Sequence, residues 1–381
     1  MIIHLFNSTL VSGPETLVLP ALRKIQEATC VIFLSETRRT SESMNPIHYA
    51  ESLSLRTHSI QVTGRYDRNA VHQLSSLLHQ LEPRIVHAHD VKASFFLMKA
   101  VEKMKPRSFQ LFSTHHGVAA RPGWKVKLYE QIYTHLVLPK FDRVLCVCTS
   151  DRNALIRRGL DPRRVSVHLN GVNRNLVNLK DRGLASRRVR AQWQLSHRGI
   201  SADALIIGVV GRLAPEKRHD KILLTTLEIK KMQPNLDWHL LCFGTGPLAS
   251  PLKTLAKKLD LENQVHWMGY RNAVGNEMAG FDLLFSLSDH EGLPINLLEA
   301  GWAGTPILAT AVDGNLDLIS SPEEGILVHP HYSCAEIARE ALELTRDQER
   351  QRRMSQAIQT RVQTQFSESS WLSTLLELYS E

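Results

Sequence analysis

The sequence predicts an α/β protein made of two doubly wound domains. Three observations predict it. The chain has 381 residues, 43% of them apolar, which is too long for one ordinary core and enough for two. Short apolar runs rich in β-branched residues alternate with helical patterns from Ile2 onward, the rhythm of a parallel sheet. That rhythm breaks once, in a polar and basic stretch, and then restarts.

Before the break the strand-like runs are the opening Ile2 to Phe6, then Cys30 to Leu34, Ile85 to Ala88, Phe109 to Ser113, Val144 to Val147 and Val165 to Leu169. The opening run has no basic segment ahead of it and no cleavage pattern, so it reads as a first strand and not as a signal peptide. Val71, Leu74, Leu78 and Leu81 recur at helical spacing, as do Tyr129, Ile132, Tyr133, Leu136 and Val137 before Pro139. Both patterns predict helix faces packed on a core. The break, from Val172 to Gly199, carries Arg182, Arg187, Arg188 and Arg190 and is expected to be a linker region. Afterwards come Ala204 to Val210, Trp238 to Phe243, Val265 to Met268, Leu283 to Leu287, Pro306 to Ala309 and Ile326 to Val328. The domains are expected at residues 1–182 and 183–365, with residues 366–381 forming a last helix through Trp371, Leu375 and Leu378.

Composition narrows the function. Five cysteines without a C-x-x-C pair make neither a disulfide framework nor a zinc set, so a reduced cytoplasm is expected. No run of eighteen apolar residues suggests a membrane span. The net charge of +8 is uneven, with 30 basic against 14 acidic residues in 1–200 and 16 against 24 in 201–381. A basic first half suits an anionic membrane surface or a phosphorylated acceptor. The segment from Arg121 to Tyr129, with Trp124, Lys125 and Lys127, is where such docking is expected; Lys99, Lys103, Lys105 and Arg107 lie upstream.

The most informative stretch runs from Asp289 to Ala300 as DHEGLPINLLEA and is followed by Gly304-Thr305-Pro306. Pro294 suits a helix start and Gly304 its end, so Glu291 stands before the helix and Glu299 inside it. Between them lie free N–H groups and the positive end of a helix dipole, a favourable seat for a diphosphate. After the run Ala204 to Val210, the stretch Gly211-Arg212-Leu213-Ala214-Pro215-Glu216-Lys217 supplies a sharp turn, a planar fork and a mobile point charge. Phe243-Gly244-Thr245-Gly246-Pro247 is a further strand-to-helix turn, without the spacing of a dinucleotide fingerprint. His87 and His89 end one strand and His115 and His116 another; without a third ligand at diagnostic spacing they predict packed strand-end histidines and no metal.

Taken together these stretches resemble the retaining GT-B glycosyltransferases of family four over almost the whole chain. The motifs fall in the family's order: Ser12-Gly13-Pro14-Glu15, His87-Ala88-His89, Thr114-His115-His116-Gly117, Asn170-Gly171-Val172, Gly211-Arg212-Leu213 with Lys217, Gly244-Thr245-Gly246-Pro247, and Glu291 to Glu299. The resemblance implies two Rossmann-like domains with a cleft between them, an acceptor-binding first domain, a donor-binding second domain and a last helix that crosses back. It implies that Arg212 and Lys217 hold the diphosphate of a nucleotide sugar and stabilise the leaving group. Glu299 takes the ribose hydroxyls, Glu291 and His116 lie by the transferred sugar, and Gly13, Gly244, Gly292, Leu293 and Pro294 complete the donor site. A hexose-type sugar on UDP, or next on GDP, is then passed to a glycan or lipid-linked acceptor, with retention and without metal, cofactor or nucleic acid. Ser12, Arg218, Asn173 and Asp317 depart from the family pattern. An epimerase of the same architecture and a catalytically silent binding subunit are the competing readings.

Overall fold

The computed structural model describes residues 1–7, 11, 13–36, 45–64, 66–102, 104, 107–117, 124–172, 182–196, 200–201, 203–271 and 274–381. The chain forms two compact units, Met1–Asn170 with Trp371–Glu381, and Gly171–Ser370.

In the first unit the order is β1 (Ile2–Phe6), α1 (Gly13–Leu22), β2 (Thr29–Glu36), α2 (Pro46–Ser52), β3 (Arg56–Val62), α3 (Arg68–Leu81), β4 (Ile85–Ala88), α4 (Val91–Val101), β5 (Gln110–His115), α5 (Trp124–Ile132), β6 (Arg143–Cys146), α6 (Thr149–Arg157) and β7 (Val165–Val167). All strands are parallel, in the order β3-β2-β1-β4-β5-β6-β7. The core is the apolar set read from the sequence, with Val71, Leu74, Leu78 and Leu81 of α3 buried in it. Asp67 caps α3 by accepting from the N–H groups of Asn69 and Ala70.

The second unit runs α7 (Arg182–Ser196), β8 (Leu205–Val210), α8 (His219–Met232), β9 (Trp238–Phe243), α9 (Ala249–Lys258), β10 (Val265–Gly269), α10 (Gly275–Met278), β11 (Leu283–Ser286), α11 (Ile295–Trp302), β12 (Ile307–Thr310), α12 (Asp313–Leu318), β13 (Ile326–Val328), α13 (Cys334–Arg346) and α14 (Gln348–Gln365). Its sheet is again parallel, in the order β10-β9-β8-β11-β12-β13. The last helix, α15 (Glu368–Leu378), begins in this unit and ends in the first.

Two elements differ from the sequence reading. The basic stretch expected to be a linker contains α7, a helix of the second unit. Val189 and Trp193 are buried, Trp193 stacks on Phe281 at 5.6 Å, and Arg190 pairs with Asp282 at 2.5 Å. Among the described side chains of α7, Val189 and Trp193, one turn apart, carry its packing, too few to register as a periodic face. The strand β3 was also not expected: its alternation is mostly polar, as suits an edge strand with only Ile60 and Val62 buried.

The chain passes between the units at Asn170/Gly171 and at Ser370/Trp371, where expectation put 182/183 and 365/366. The two passages are tied side by side, because Val172 N–H donates to Phe366 O at 2.8 Å and Glu368 N–H donates to Val172 O at 3.0 Å. Counted by unit, the first has 23 basic and 15 acidic residues, +8, and the second has 23 of each. Of the +16 before residue 200, +6 belongs to residues 171–200, which are α7 and its flanks.

Candidate active site

Each sheet reverses its strand order once, between β1 and β4 and between β8 and β11. In open α/β sheets the carboxyl ends at such a reversal are where ligands bind. The sequence-derived residues of the second unit follow β8 and β11.

Leaving β8, the chain turns at Gly211 and runs to a short 3-10 turn, Pro215–Lys217. It lies backbone to backbone on the turn after β9, where Gly211 and Leu213 N–H donate to Phe243 O and Thr245 O at 2.9 and 3.0 Å. A Cβ on Gly244 would stand 2.0 Å from Gly211 O, so that approach requires glycine. Arg218 follows in the left-handed region at φ 48°, which explains why a glycine suits this position. Its guanidinium pairs with Asp220 at 3.2 Å and Asp289 at 3.0 Å.

Leaving β11, the chain reaches Glu291 in the loop ahead of α11. Pro294 is the N-cap, one position outside the helix, and Gly304 closes the far end at φ 69°. There Gly304 N–H donates to Gly301 O and Thr305 N–H to Ala300 O, both at 2.9 Å, which satisfies the last carbonyls. The loop rests on the Asp313-Gly314 turn. A Cβ on Gly314 would meet Gly292 O at 1.9 Å, and Asp313 Oδ2 accepts from Glu291 N–H at 3.3 Å.

These two loops bring the charged residues together across 74 positions of sequence. Lys217 Nζ donates to Glu291 Oε1 at 2.6 Å, and Ser288 Oγ donates to the same oxygen at 2.6 Å. Glu291 is buried at this pair and Lys217 is partly covered. Arg212 is half exposed and pairs with Glu216, whose carbonyl accepts from Asp289 N–H at 2.9 Å. One turn into α11, half-buried Glu299 has its carboxyl pushed up to about 7 by burial. Among the described residues no side chain or N–H bonds to that carboxyl.

Sequence reasoning missed His219, the first residue of α8. It is buried with neither ring nitrogen bonded, and burial together with Lys217 holds it neutral, at about 4. With Lys217, Ser288, Glu291 and Asn296 it lines a cavity of about 10 Å³, the room of one water molecule. Its position beside Lys217 was the available signal.

The first unit holds the other candidates. Gly13 starts α1, and its carbonyl accepts from Thr16 Oγ1 at 2.9 Å. His116 follows β5, with its ring bonded to the backbone of His89, its Nε2 unpartnered, and burial holding it neutral at about 4. Ser12 and Asn173 lie outside the described residues, as do Lys103, Lys105 and Arg121.

At the β1/β4 reversal, the register pairs His4 with His87 and so adds a third imidazole that the sequence reading did not use. His4, His87 and His89 offer ligand atoms within 4.8 Å of one another, a spacing that could hold a metal. Four of their six nitrogens already have protein partners. His4 Nδ1 meets His89 Nε2 at 2.8 Å, while His87 meets Tyr379 Oη at 2.6 Å and Thr114 Oγ1 at 2.7 Å. The rings are stacked, His87 on His89 at 4.2 Å and His89 on Phe6 at 4.3 Å, as packed neutral imidazoles are. Tyr379 reaches them from the chain's last residues, and His168 Nε2 meets Trp371 O at 3.0 Å beside it.

Two family models match this chain, Glycosyltransferase Family 4 over residues 13–176 and Glycosyl transferases group 1 over residues 195–361. Among curated relatives, the glycosyltransferase EpsF of Bacillus subtilis is 26% identical over 335 residues, covering 84% of this chain and 82% of that one. The UDP-Gal:alpha-D-GlcNAc-diphosphoundecaprenol alpha-1,3-galactosyltransferase of Escherichia coli is 25% identical, covering 69% of this chain and 66% of the enzyme. Among solved structures, HepE of Anabaena in complex with UDP and glucose superposes with a TM-score of 0.83 at 17% identity, over 100% of this chain and 99% of that one. WaaG, a glycosyltransferase involved in lipopolysaccharide biosynthesis, gives 0.72 at 15% identity, over 98% of each chain. The two parallel sheets and these neighbours establish the GT-B fold.

Proposed function

The chain belongs to the GT-B glycosyltransferases of family four, and from that premise we propose that it transfers a hexose-type sugar from a UDP-sugar to a lipid-linked glycan, with retention and without a metal. GDP is the second choice of nucleotide. The observation that carries the donor side is the convergence of Lys217, Glu291 and Arg212 at the β8/β11 reversal, next to the N-terminus of α11. The Escherichia coli relative, named for a UDP-Gal donor and a diphosphoundecaprenol-linked acceptor, supports both UDP and the lipid-linked acceptor.

In this reading the diphosphate lies against Arg212, Lys217 and the free N–H groups at the start of α11. Lys217 exchanges its bond with Glu291 for a phosphate oxygen, and Glu291 turns to the sugar hydroxyls. Glu299 accepts from the ribose hydroxyls; a buried carboxyl without partners gains by acquiring donors. As the bond from the anomeric carbon to the phosphate oxygen breaks, negative charge grows on the diphosphate. The two cations and the helix dipole neutralise it without a metal ion. The acceptor oxygen bonds to the anomeric carbon on the face the diphosphate leaves, and its proton passes to a phosphate oxygen. The family resemblance assigns His116, which burial holds neutral at working pH, to the transferred sugar. The basic surplus of the first unit suits an acceptor that carries phosphate or sits at an anionic surface.

A panel of UDP- and GDP-hexoses tests the donor, read first as thermal stabilisation. A donor at 100 times its dissociation constant adds about 2.7 kcal/mol. Stabilisation by UDP-sugars, and transfer that survives EDTA, are the expected results. Activity lost to EDTA and restored by manganese would overturn the metal-free mechanism.

A further inference from the structure

The transfer scheme leaves His219 without a task. Its ring stands at the first position of α8, two residues after Lys217, is 3% exposed, and bonds to protein through neither nitrogen. A neutral imidazole carries one N–H donor and one lone pair, so a buried ring left wholly unpaired is costly and calls for a partner. The cavity beside it also has an apolar wall, which includes Ile222 and Phe285. An aliphatic side chain would suit that wall without the cost.

The cavity, of about 10 Å³, is the size of one water, and the rest of its polar wall is Lys217, Ser288, Glu291 and Asn296. Lys217 Nζ and Ser288 Oγ both donate to Glu291 Oε1 at 2.6 Å, and Asn296 Nδ2 donates to Val210 O at 2.6 Å. A site this small with so many polar neighbours suits a bound water. Burial and the Lys217 ammonium keep the His219 ring neutral, so it can accept as well as donate. In the unliganded site Glu291 Oε1 has two donors. Once Lys217 moves to the diphosphate only Ser288 remains, and a buried carboxylate that loses its cation is strongly destabilised. The exchange therefore needs a replacement donor at Glu291.

We infer that His219 is a positioning residue that holds one water against Glu291, and that this water donates to Oε1 when Lys217 leaves for the diphosphate. The ring's lone pair takes one hydrogen of the water and the other points at the carboxylate. Given the donor reading above, on which this role rests, Glu291 stays ionised and set toward the sugar while Lys217 meets the leaving group.

Calorimetric titration of the full chain with UDP, without acceptor, tests this, with GDP in its place if that is the nucleotide the parent takes. His219→Leu keeps the bulk and removes both nitrogens. It should weaken nucleotide binding by about tenfold or more, the worth of one hydrogen bond to a charge. The unliganded variant should melt at the parent's temperature or higher, because no unpaired nitrogen is left buried. His219→Gln, whose amide both accepts and donates, should bring binding back to within about threefold of the parent. In a Glu291→Gln background there is no carboxylate charge to hold, so His219→Leu should cost nothing further. Parental affinity in His219→Leu would overturn the proposal and leave the donor site standing. So would a loss that is equal with and without the Glu291 carboxylate, or one that His219→Gln does not recover, because the ring would then act through the packing of α8 alone. A parent chain that binds neither UDP nor GDP would remove the donor reading itself, and the role of His219 with it.

Discussion

The two units share an all-parallel, doubly wound architecture, yet they furnish the reversal point of the sheet in opposite ways. In the first unit it is filled with neutral imidazoles, His4, His87 and His89, with His115, His116 and His168 close by in the same unit. In the second unit it carries an ion pair, Lys217 with Glu291, flanked by Arg212. The difference shows that topology fixes where a ligand goes, while the side chains at the strand ends fix which charge it can bring. A diphosphate is suited to the second unit, and a polar acceptor group to the first.

Arg212 gives the largest expected effect. Arg212→Ala should slow transfer by about 10²–10³-fold, the loss of one group that meets growing charge, with little change in stability because the guanidinium is half exposed. Lys217→Ala should slow transfer similarly and also destabilise the fold, since it leaves Glu291 buried without its cation. Single-turnover rates with saturating donor would decide, and unchanged rates in both variants would remove the functional contrast between the units.

Acid should separate the units next. Burial lowers His4 to about 3 and His115, His116 and His168 to about 4, from an ordinary 6.5. Above 6.5 both folded and unfolded chains keep these rings neutral and nothing is lost. As the pH falls below that value the unfolded chain takes up protons that the folded chain refuses, so stability declines by about 1.4 kcal/mol per pH unit for each ring. Asp90, raised to about 6 by burial, works in the opposite sense and offsets about one of them. In the second unit His219 shows a comparable drop. Hydrogen exchange followed from neutral to mildly acid pH should therefore show the first unit losing protection before the second. Simultaneous loss would break the comparison.

Gly314→Ala should cost about 1–3 kcal/mol, because its Cβ would overlap Gly292 O and push the Glu291 loop away. Donor affinity should fall with it, which a titration of the variant would read. The smallest effect is expected at Arg218→Gly. Relief of the left-handed backbone and loss of the pairs with Asp220 and Asp289 oppose each other, leaving a change within about 1 kcal/mol in a denaturant melt.

Much of this was legible in the sequence where the deciding interactions are local. The strands Ile85–Ala88, Trp238–Phe243 and Ile326–Val328 coincide with their apolar runs, and α11 lies between the Pro294 and Gly304 that bracket it. Apolar runs and caps act over a few residues, so neighbours in sequence carry the signal. The reading faltered where one pattern has two outcomes. Tyr129, Ile132 and Tyr133 look alike as a periodic series, but only packing against the rest of the first unit buries Tyr133 and leaves the other two outside.

Sequence alone thus determined the α/β alternation, the two cores, and the residue types that suit a diphosphate. Tertiary structure decided which of those residues meet. His4 joins His87 through the register of β1 on β4, Tyr379 returns from the far end of the chain to bond the same ring, and Lys217 finds Glu291 across 74 residues. Such contacts depend on how the strands are ordered and on the close approach allowed by Gly244 and Gly314. Their free energy comes from burial and pairing over long range, which no local spacing encodes.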